Sequence, residues 1–108
     1  MNIEMFVEKI GGEIIVENSK MNPKGIYIGD LLSLVMGKAR ADDLWITIQG
    51  HLNIVAVASL VDLSGIVVVE GMEIEADTIL KAREEDICLI KTNKSAYEVA
   101  KICFEMGL

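Results

Sequence analysis

The sequence predicts an α/β domain in which a mostly parallel sheet of about five short strands lies between two layers of helices. Three observations predict this class. Short apolar runs alternate with segments of helical periodicity, the run 66–69 is wholly apolar, and 108 residues suffice for one core but not for two. Alternation of this kind is typical of right-handed βαβ crossovers, so we expect one three-layer domain over residues 1–108.

The chain opens with a helix and a brief strand. Apolar residues at three- and four-residue spacing over 3–10 predict a short amphipathic helix, which Gly11 and Gly12 end. The apolar run 13–16 predicts a strand, and the polar run 17–24, which holds the only proline, predicts a long loop.

Strands and helices then alternate. Residues 25–29 predict a strand bounded by glycines, and Asp30 is placed to cap a helix over 31–38. The run 44–48 predicts the third strand. Residues 52–61 predict a helix that is apolar around most of its circumference.

The second half of the chain repeats this order. The β-branched run 66–69 is typical of a central strand covered on both faces. A helix over about 74–84 and a strand over 87–90 follow. Residues 95–98, Ser-Ala-Tyr-Glu, form the Ser-x-x-Glu pattern of a capping box and predict a last helix that ends near Gly107.

Composition excludes several classes of protein. A formal net charge of −7 disfavours binding to nucleic acid or an anionic membrane, and the richest apolar stretch, 52–61, is far shorter than the ~20 residues of a membrane span. The N-terminus lacks the basic region of a signal peptide, so we expect a cytoplasmic protein. Cys88 and Cys103 lie in apolar runs and are expected to be buried, reduced thiols, with no metal or cofactor site.

The order of elements over residues 26–107 resembles the DRTGG domain, which is related to the N-terminal domain of HPr kinase. The likeness lies in an Asp-Leu turn into a strand at 41–47, a buried strand followed by glycine at 63–71, and a strand, polar loop and helix at 86–96. The Asp-Arg-Thr-Gly-Gly string itself is absent, and Gln-Gly-His at 49–51 stands in the corresponding turn. The resemblance implies a non-catalytic regulatory module that often pairs with itself. It implies no kinase activity, because no phosphate-binding GxxxxGK[ST] loop occurs.

Catalytic groups are few. His51 is the single histidine, and its position at a helix start favours a capping role over that of a general base. The neighbouring acidic residues 42–43 and 84–86 fall at turns, where solvated charges are ordinary. A small enzyme that uses His51 is the alternative from a different class of function.

A ligand site is expected at the carboxyl ends of the strands, where parallel sheets gather their ligands. Glycines there allow close approach of the backbone, and the last loop supplies hydroxyl, amide and ammonium groups suited to a small metabolite such as a nucleotide. The alternative is that these residues only form strand-to-helix turns. The candidate residues are Asp30, Gln49, Gly50, His51, Glu70, Gly71, Met72, Thr92, Asn93, Lys94 and Ser95.

A dimer interface is expected on the helix 52–61. A helix that is apolar all round must be covered on two sides, and a sheet covers only one. We therefore expect Ile54, Val57, Ala58 and Val61 to meet a second copy of the chain. The alternative is that the N-terminal helix or the long loop shields this helix. Together these expectations describe a homodimeric regulatory module that binds a metabolite or a partner protein, with a purely structural interaction module as the alternative.

Overall fold

The protein is described by a computed structural model that covers residues 1–18 and 21–108. Ser19 and Lys20, in the predicted loop, lie outside the described residues. The described helices and strands alternate as expected, and none of these helices is long and apolar enough to cross a membrane. In chain order they are α1 (Ile3–Lys9), β1 (Glu13–Val16), β2 (Gly25–Ile28), α2 (Leu32–Lys38), β3 (Asp43–Thr47), α3 (Asn53–Val61), β4 (Gly65–Val68), α4 (Ala76–Glu84), β5 (Cys88–Lys91) and α5 (Ala96–Glu105).

The five strands form one sheet in the order β1-β5-β4-β3-β2. Strands β2 to β5 are parallel, and β1 joins β5 antiparallel with an irregularity between Ile14 and Val16. Because β2, β3, β4 and β5 follow one another across the sheet and right-handed crossovers connect them, α2, α3 and α4 lie on the same face. Helices α1 and α5 cover the other face. The predicted fold class is confirmed.

Each face of the sheet carries its own hydrophobic core. Ile66 and Val68 pack with Trp45 beneath α2, α3 and α4, whereas Val67 and Val69 pack beneath α1 and α5. All five side chains are fully buried. The β-branched run 66–69 is therefore a central strand with both faces covered, as predicted.

Residues 21–24, which precede β2, lie along the amino ends of β3 and β4. The backbone N–H of Asn22 donates to Ser64 Oγ at 3.0 Å, just before β4. The N–H of Lys24 donates to the carbonyl oxygen of Asp42 at 3.0 Å, just before β3. These bonds hold residues 21–24 at the amino ends of β3 and β4.

Three of the four residues predicted to form an interface on α3 are covered by the chain itself. Ile54, Val57 and Ala58 are buried in the core of the chain itself, and the half-buried Val61 packs against the same core. The expectation allowed for the sheet as cover, with the N-terminal helix or the long loop as the alternative, but α3 packs between α2 and α4. The outer surface of α3 instead carries Leu60, which is 72% exposed.

Candidate functional site

The predicted ligand residues lie in the loops at the carboxyl ends of β2 to β5. Since these strands are parallel, their ends meet at one edge of the sheet. The structure divides the residues into two groups. The loops after β2 and β3 form one group, and the loops after β4 and β5 form the other.

In the first group, Asp30 joins the loop after β2 to the end of β3. Its Oδ1 accepts hydrogen bonds from Thr47 Oγ1 at 2.8 Å and from the N–H of Ile48 at 2.9 Å. The side-chain amide of Gln49 donates to the carbonyl oxygen of Asp30. Asp30 is therefore not the cap of α2, whose N-cap is Leu31 without a side-chain bond. The predicted cap is wrong because the carboxylate of Asp30 is bound to Thr47 and Ile48 and not to the start of α2.

Gly50 is a packing residue. Its carbonyl oxygen accepts from the N–H of Glu75 at 3.1 Å and from Thr78 Oγ1 at 2.8 Å, which fixes the start of α4. A Cβ atom at Gly50 would lie 1.8 Å from the carbonyl oxygen of Glu73. The chain needs glycine here whether or not a ligand binds.

The histidine and the two cysteines of the chain lie in different surroundings. His51 is exposed, and its Nδ1 accepts from the N–H of Asn53 at 3.2 Å. Cys88 and Cys103 are free and buried as predicted, and burial raises the pKa of each thiol to about 11. Both thiols are therefore protonated at neutral pH. Among residues 1–18 and 21–108, no three His, Cys, Asp or Glu side chains are grouped to hold a metal ion.

The second group lies where the connections of adjacent strands diverge. The loop after β4 leads to α4 on one face of the sheet, whereas the loop after β5 leads to α5 on the other face. Divergence of this kind creates the ligand crevice of open α/β sheets. We call this place, formed by residues 70–72 and 92–95, the switch crevice. Among the connections that follow β2 to β5, the switch crevice is the one place where neighbouring connections diverge, because the loops after β2, β3 and β4 all lead to the same face.

Backbone bonds hold the two sides of the switch crevice together. The N–H of Glu70 donates to the carbonyl oxygen of Lys94 at 2.8 Å, and the N–H of Gly71 donates to that of Thr92 at 2.9 Å. Glu70 and Gly71 are both left-handed, with φ of 62° and 65°. This conformation suits glycine but costs a side-chain-bearing residue about 1 kcal/mol. Glu70 is thus held in an unfavourable backbone conformation at the crevice.

Two predicted ligand residues have structural roles. Thr92 is buried, and its Oγ1 donates to the carbonyl oxygen of Ile10 at 2.6 Å and accepts from the N–H of Lys94 at 3.2 Å. Ser95 forms the predicted capping box with Glu98. The backbone and side-chain hydrogen bonds from Ser95 lower the pKa of the Glu98 carboxyl group. These residues shape the crevice and hold the start of α5.

The polar side chains that remain available are of mixed charge. Glu70 and Asn93 are exposed, and Lys94 is half-buried and only loosely paired with Glu98, at 4.0 Å between Nζ and Oε2. Met72 is 46% exposed beside them. A carboxylate can accept hydrogen bonds from hydroxyl or amino groups, and a side-chain amide can donate as well as accept them. An ammonium group attracts phosphate or carboxylate.

The structure adds residues that the sequence did not place at this edge. Because β1 is antiparallel to β5, it begins where β5 ends, and the turn before it adjoins the switch crevice. The turn before β1 and the switch crevice together form a depression of about 190 Å³. A glycine pair directly before a strand was the available signal, but its position depends on the sheet order. The depression is lined by Gly11, Gly12, Glu13, Lys91, Thr92 and Asn93.

Comparison with solved structures shows a related fold. The chain is similar to the CBS and DRTGG domains of the regulatory region of Clostridium perfringens pyrophosphatase, a structure complexed with the activator diadenosine tetraphosphate. The TM-score is 0.79 at 14% identity over 94% of this chain, which spans 45% of that one. No protein-family model and no curated protein matches the chain. The chain therefore shares its α/β fold with part of that structure.

Proposed function

We propose that the protein is a non-catalytic regulatory module that binds a small polar metabolite, such as a nucleotide, at the switch crevice and acts as a homodimer. The observation that carries this proposal is the left-handed Glu70, held beside Asn93 and Lys94 where the connections of β4 and β5 diverge. Unfavourable backbone conformations of this kind concentrate at functional sites.

Glu70 differs from the other strained residues of the described chain. The remaining non-glycine residues with positive φ are Asp42, Asp62 and Asp86, which precede strands at the amino ends. Aspartate tolerates the left-handed region better than glutamate does, because its short side chain bonds locally. Within residues 1–18 and 21–108, the Glu70 carboxylate makes no hydrogen bond or ion pair that would stabilise the fold. A ligand that needs an acceptor at this position accounts for its presence.

The mixture of groups favours a ligand with hydroxyl and anionic parts. The Glu70 carboxylate suits a diol, and the ammonium groups of Lys91 and Lys94 suit a phosphate or carboxylate. A nucleotide carries both parts. The regulatory region with the similar fold is complexed with a dinucleotide activator, and this supports the choice of adenine nucleotides as probes.

The protonated thiols and the single, exposed histidine support a binding role over catalysis. An enzyme that uses His51 remains the alternative, and a protein partner is a second candidate function. The second candidate is favoured by the large aromatic side chains Tyr97 and Phe104, which are 77% and 78% exposed on α5.

Thermal denaturation of the full chain with AMP, ATP or diadenosine tetraphosphate tests the proposal. We expect at least one nucleotide to raise the Tm of the wild-type chain, since a ligand bound to the folded state stabilises it. Glu70→Gly and Asn93→Ala should each abolish most of that rise, whereas His51→Gln, outside the switch crevice, should keep it. The absence of any rise, or a full rise in both crevice variants, would contradict the proposal.

A further inference from the structure

We propose that the open edge of β2 is the surface through which two copies of the chain associate. The two β2 strands would pair antiparallel about a two-fold axis and form one continuous ten-stranded sheet, five strands from each copy. This inference rests on the proposed function, because it names the interface of the proposed homodimer.

The two edges of the sheet differ in their readiness to pair. At one edge, β1 carries an irregularity between Ile14 and Val16, and such bulges protect an edge from further pairing. At the other edge, β2 pairs with β3 in continuous register over Gly25–Ile28. Lys24 donates its N–H toward β3, so the backbone groups of Gly25 and Tyr27 point outward. The strand itself contains no charge or proline that would block a partner.

An apolar flank of α2 borders this edge on one face of the sheet. Leu31, Leu34 and Lys38 follow one another at spacings of three and four residues, so they share one side of the helix. Lys38 lines an open depression of about 500 Å³ together with Gly25, Ile26 and Tyr27 of β2. That flank of α2 therefore faces the edge. Its leucines, Leu31 and Leu34, are 60% and 46% exposed.

An aromatic flank of α5 borders the edge on the other face. Helix α5 packs on β2 and β3, and its Ile102 and Met106 line a depression shared with residues of α1. Tyr97 and Phe104 lie seven residues apart on the side turned away from α1, which is the side of β2. Ile28, at the end of β2 between these flanks, is 48% exposed.

Charge complementarity favours a second copy in antiparallel orientation. Three cations, Lys24, Lys38 and Arg40, and two carboxylates, Asp42 and Asp43, lie around the amino end of β2 and leave it a net charge of +1, whereas the exposed carboxylate of Asp30 follows its carboxyl end. An antiparallel pair places each cationic end against Asp30 of the partner subunit. It also places Tyr97 opposite Phe104 of the partner subunit, twice about the axis. A parallel pair would bring like charges together.

The apolar surface at this edge matches what a dimer requires. The five exposed side chains on the strand and the two flanks provide on the order of 600 Å² from each copy. The pair would then bury about 1,200 Å², which is the lower limit for specific, stable interfaces, in addition to the hydrogen bonds between the strands. A patch of this size marks an interaction site, and a second copy of the chain offers the same strand edge with matching flanks.

Sedimentation equilibrium of the full chain and two matched variants tests the interface. We expect the wild-type chain to sediment at twice its mass of 11.8 kDa at micromolar concentration. Leu34→Asp at the β2 edge should raise the dimer dissociation constant by about a hundredfold or more, because it places an unpaired charge in an apolar contact. Leu60→Asp is the control, since Leu60 is also exposed but lies on α3 away from β2, and it should leave the dimer unchanged.

Other outcomes separate this inference from the proposed function. A wild-type dimer that Leu34→Asp leaves intact, with its circular dichroism unchanged, would overturn the β2 interface while the proposed homodimer stands. A dimer that Leu60→Asp dissociates instead would assign the interface to the outer side of α3. A monomeric wild-type chain would overturn both the interface and the homodimer.

Discussion

The backbone N–H of Gly71 donates a 2.9 Å hydrogen bond to the carbonyl oxygen of Thr92. This bond joins the loops after β4 and β5, although the two loops lead to helices on opposite faces of the sheet. A Cβ atom at Gly71 would lie 2.7 Å from Asn93 Oδ1, so the loops also pack closely. The two loops of the switch crevice are therefore held together through their backbones.

Replacing Glu70 with glycine should stabilise the unliganded chain. Glu70 has φ of 62°, a conformation that glycine adopts at no steric cost. We expect the free energy of unfolding to rise by about 0.5–1 kcal/mol, measured by urea denaturation. The gain in stability would come with loss of nucleotide binding, which is the pattern expected when a strained residue serves function.

Asp62→Gly is the matched control for this substitution. Asp62 is also left-handed, with φ of 60°, but it follows α3 far from the switch crevice. Asp62→Gly should raise stability by less, because aspartate tolerates the left-handed region better than glutamate does, and it should leave nucleotide binding intact. A loss of stability in Glu70→Gly would mean that the carboxylate supports the fold, and the functional explanation of its strain would fail.

Gly50 should not tolerate even a methyl group. An alanine Cβ at this position would lie 1.8 Å from the carbonyl oxygen of Glu73, so the backbone between β3 and α4 must move. We expect Gly50→Ala to lower the free energy of unfolding by about 3 kcal/mol. Gly37→Ala, in α2 with no atom within 4 Å of the added Cβ, should raise it by about 0.5–1 kcal/mol. Equal effects of the two substitutions in denaturant titrations would contradict this assignment.

The hydroxyl of Thr92 should be needed for stability. It donates to the carbonyl oxygen of Ile10 at 2.6 Å in a buried position and connects the end of α1 to β5. Thr92→Val keeps the shape but leaves that carbonyl unsatisfied, which should cost about 2 kcal/mol by denaturant titration. Thr92→Ser retains the hydroxyl and should recover most of the loss. If the valine variant unfolds at the wild-type midpoint, the bond does not contribute to stability.

The two cysteines should make the fold sensitive to alkaline pH. Burial raises the pKa of both thiols from 9.0 to about 11, so between these values the unfolded state binds fewer protons than the folded state. Stability is then complete below pH 9 and falls as pH rises, by about 3 kcal/mol at pH 10 for the two thiols together. The double variant with Cys88→Ala and Cys103→Ala should flatten the dependence of the unfolding free energy on pH between pH 8 and about 10. An equally steep slope in the double variant would show that other groups cause it.

Sequence patterns predicted the parts of the fold that local chemistry determines. The β-branched run 66–69 requires cover on both faces, and the Ser95 and Glu98 pair specifies a helix start, so both were predicted correctly. The antiparallel pairing of β1 with β5 was not predicted, because sheet order depends on contacts between distant residues. Gly11 and Gly12 therefore could not be placed beside Asn93 from sequence alone.

The ligand edge stays a prediction, and several of the residues assigned to it have other roles in the fold. Asp30 and Thr92 have the side chains of a ligand site, yet Thr47 and Ile10 bind them inside the fold. Similarly, Ile54 is apolar enough for an interface, but neighbouring helices bury it. Residue type indicates what a side chain can bind, and only the structure shows which partner it has.

Nuclear magnetic resonance titration of the ¹⁵N-labelled chain with AMP tests the central claim most directly. A ligand at the switch crevice should shift the backbone amide signals of residues 70–72 and 92–95 together and in proportion to occupancy, and leave those at the amino ends of the strands unchanged. The same titration of Glu70→Gly should produce little or no shift. Shifts confined to another part of the chain, or no shifts with AMP and ATP alike, would contradict nucleotide sensing at this site.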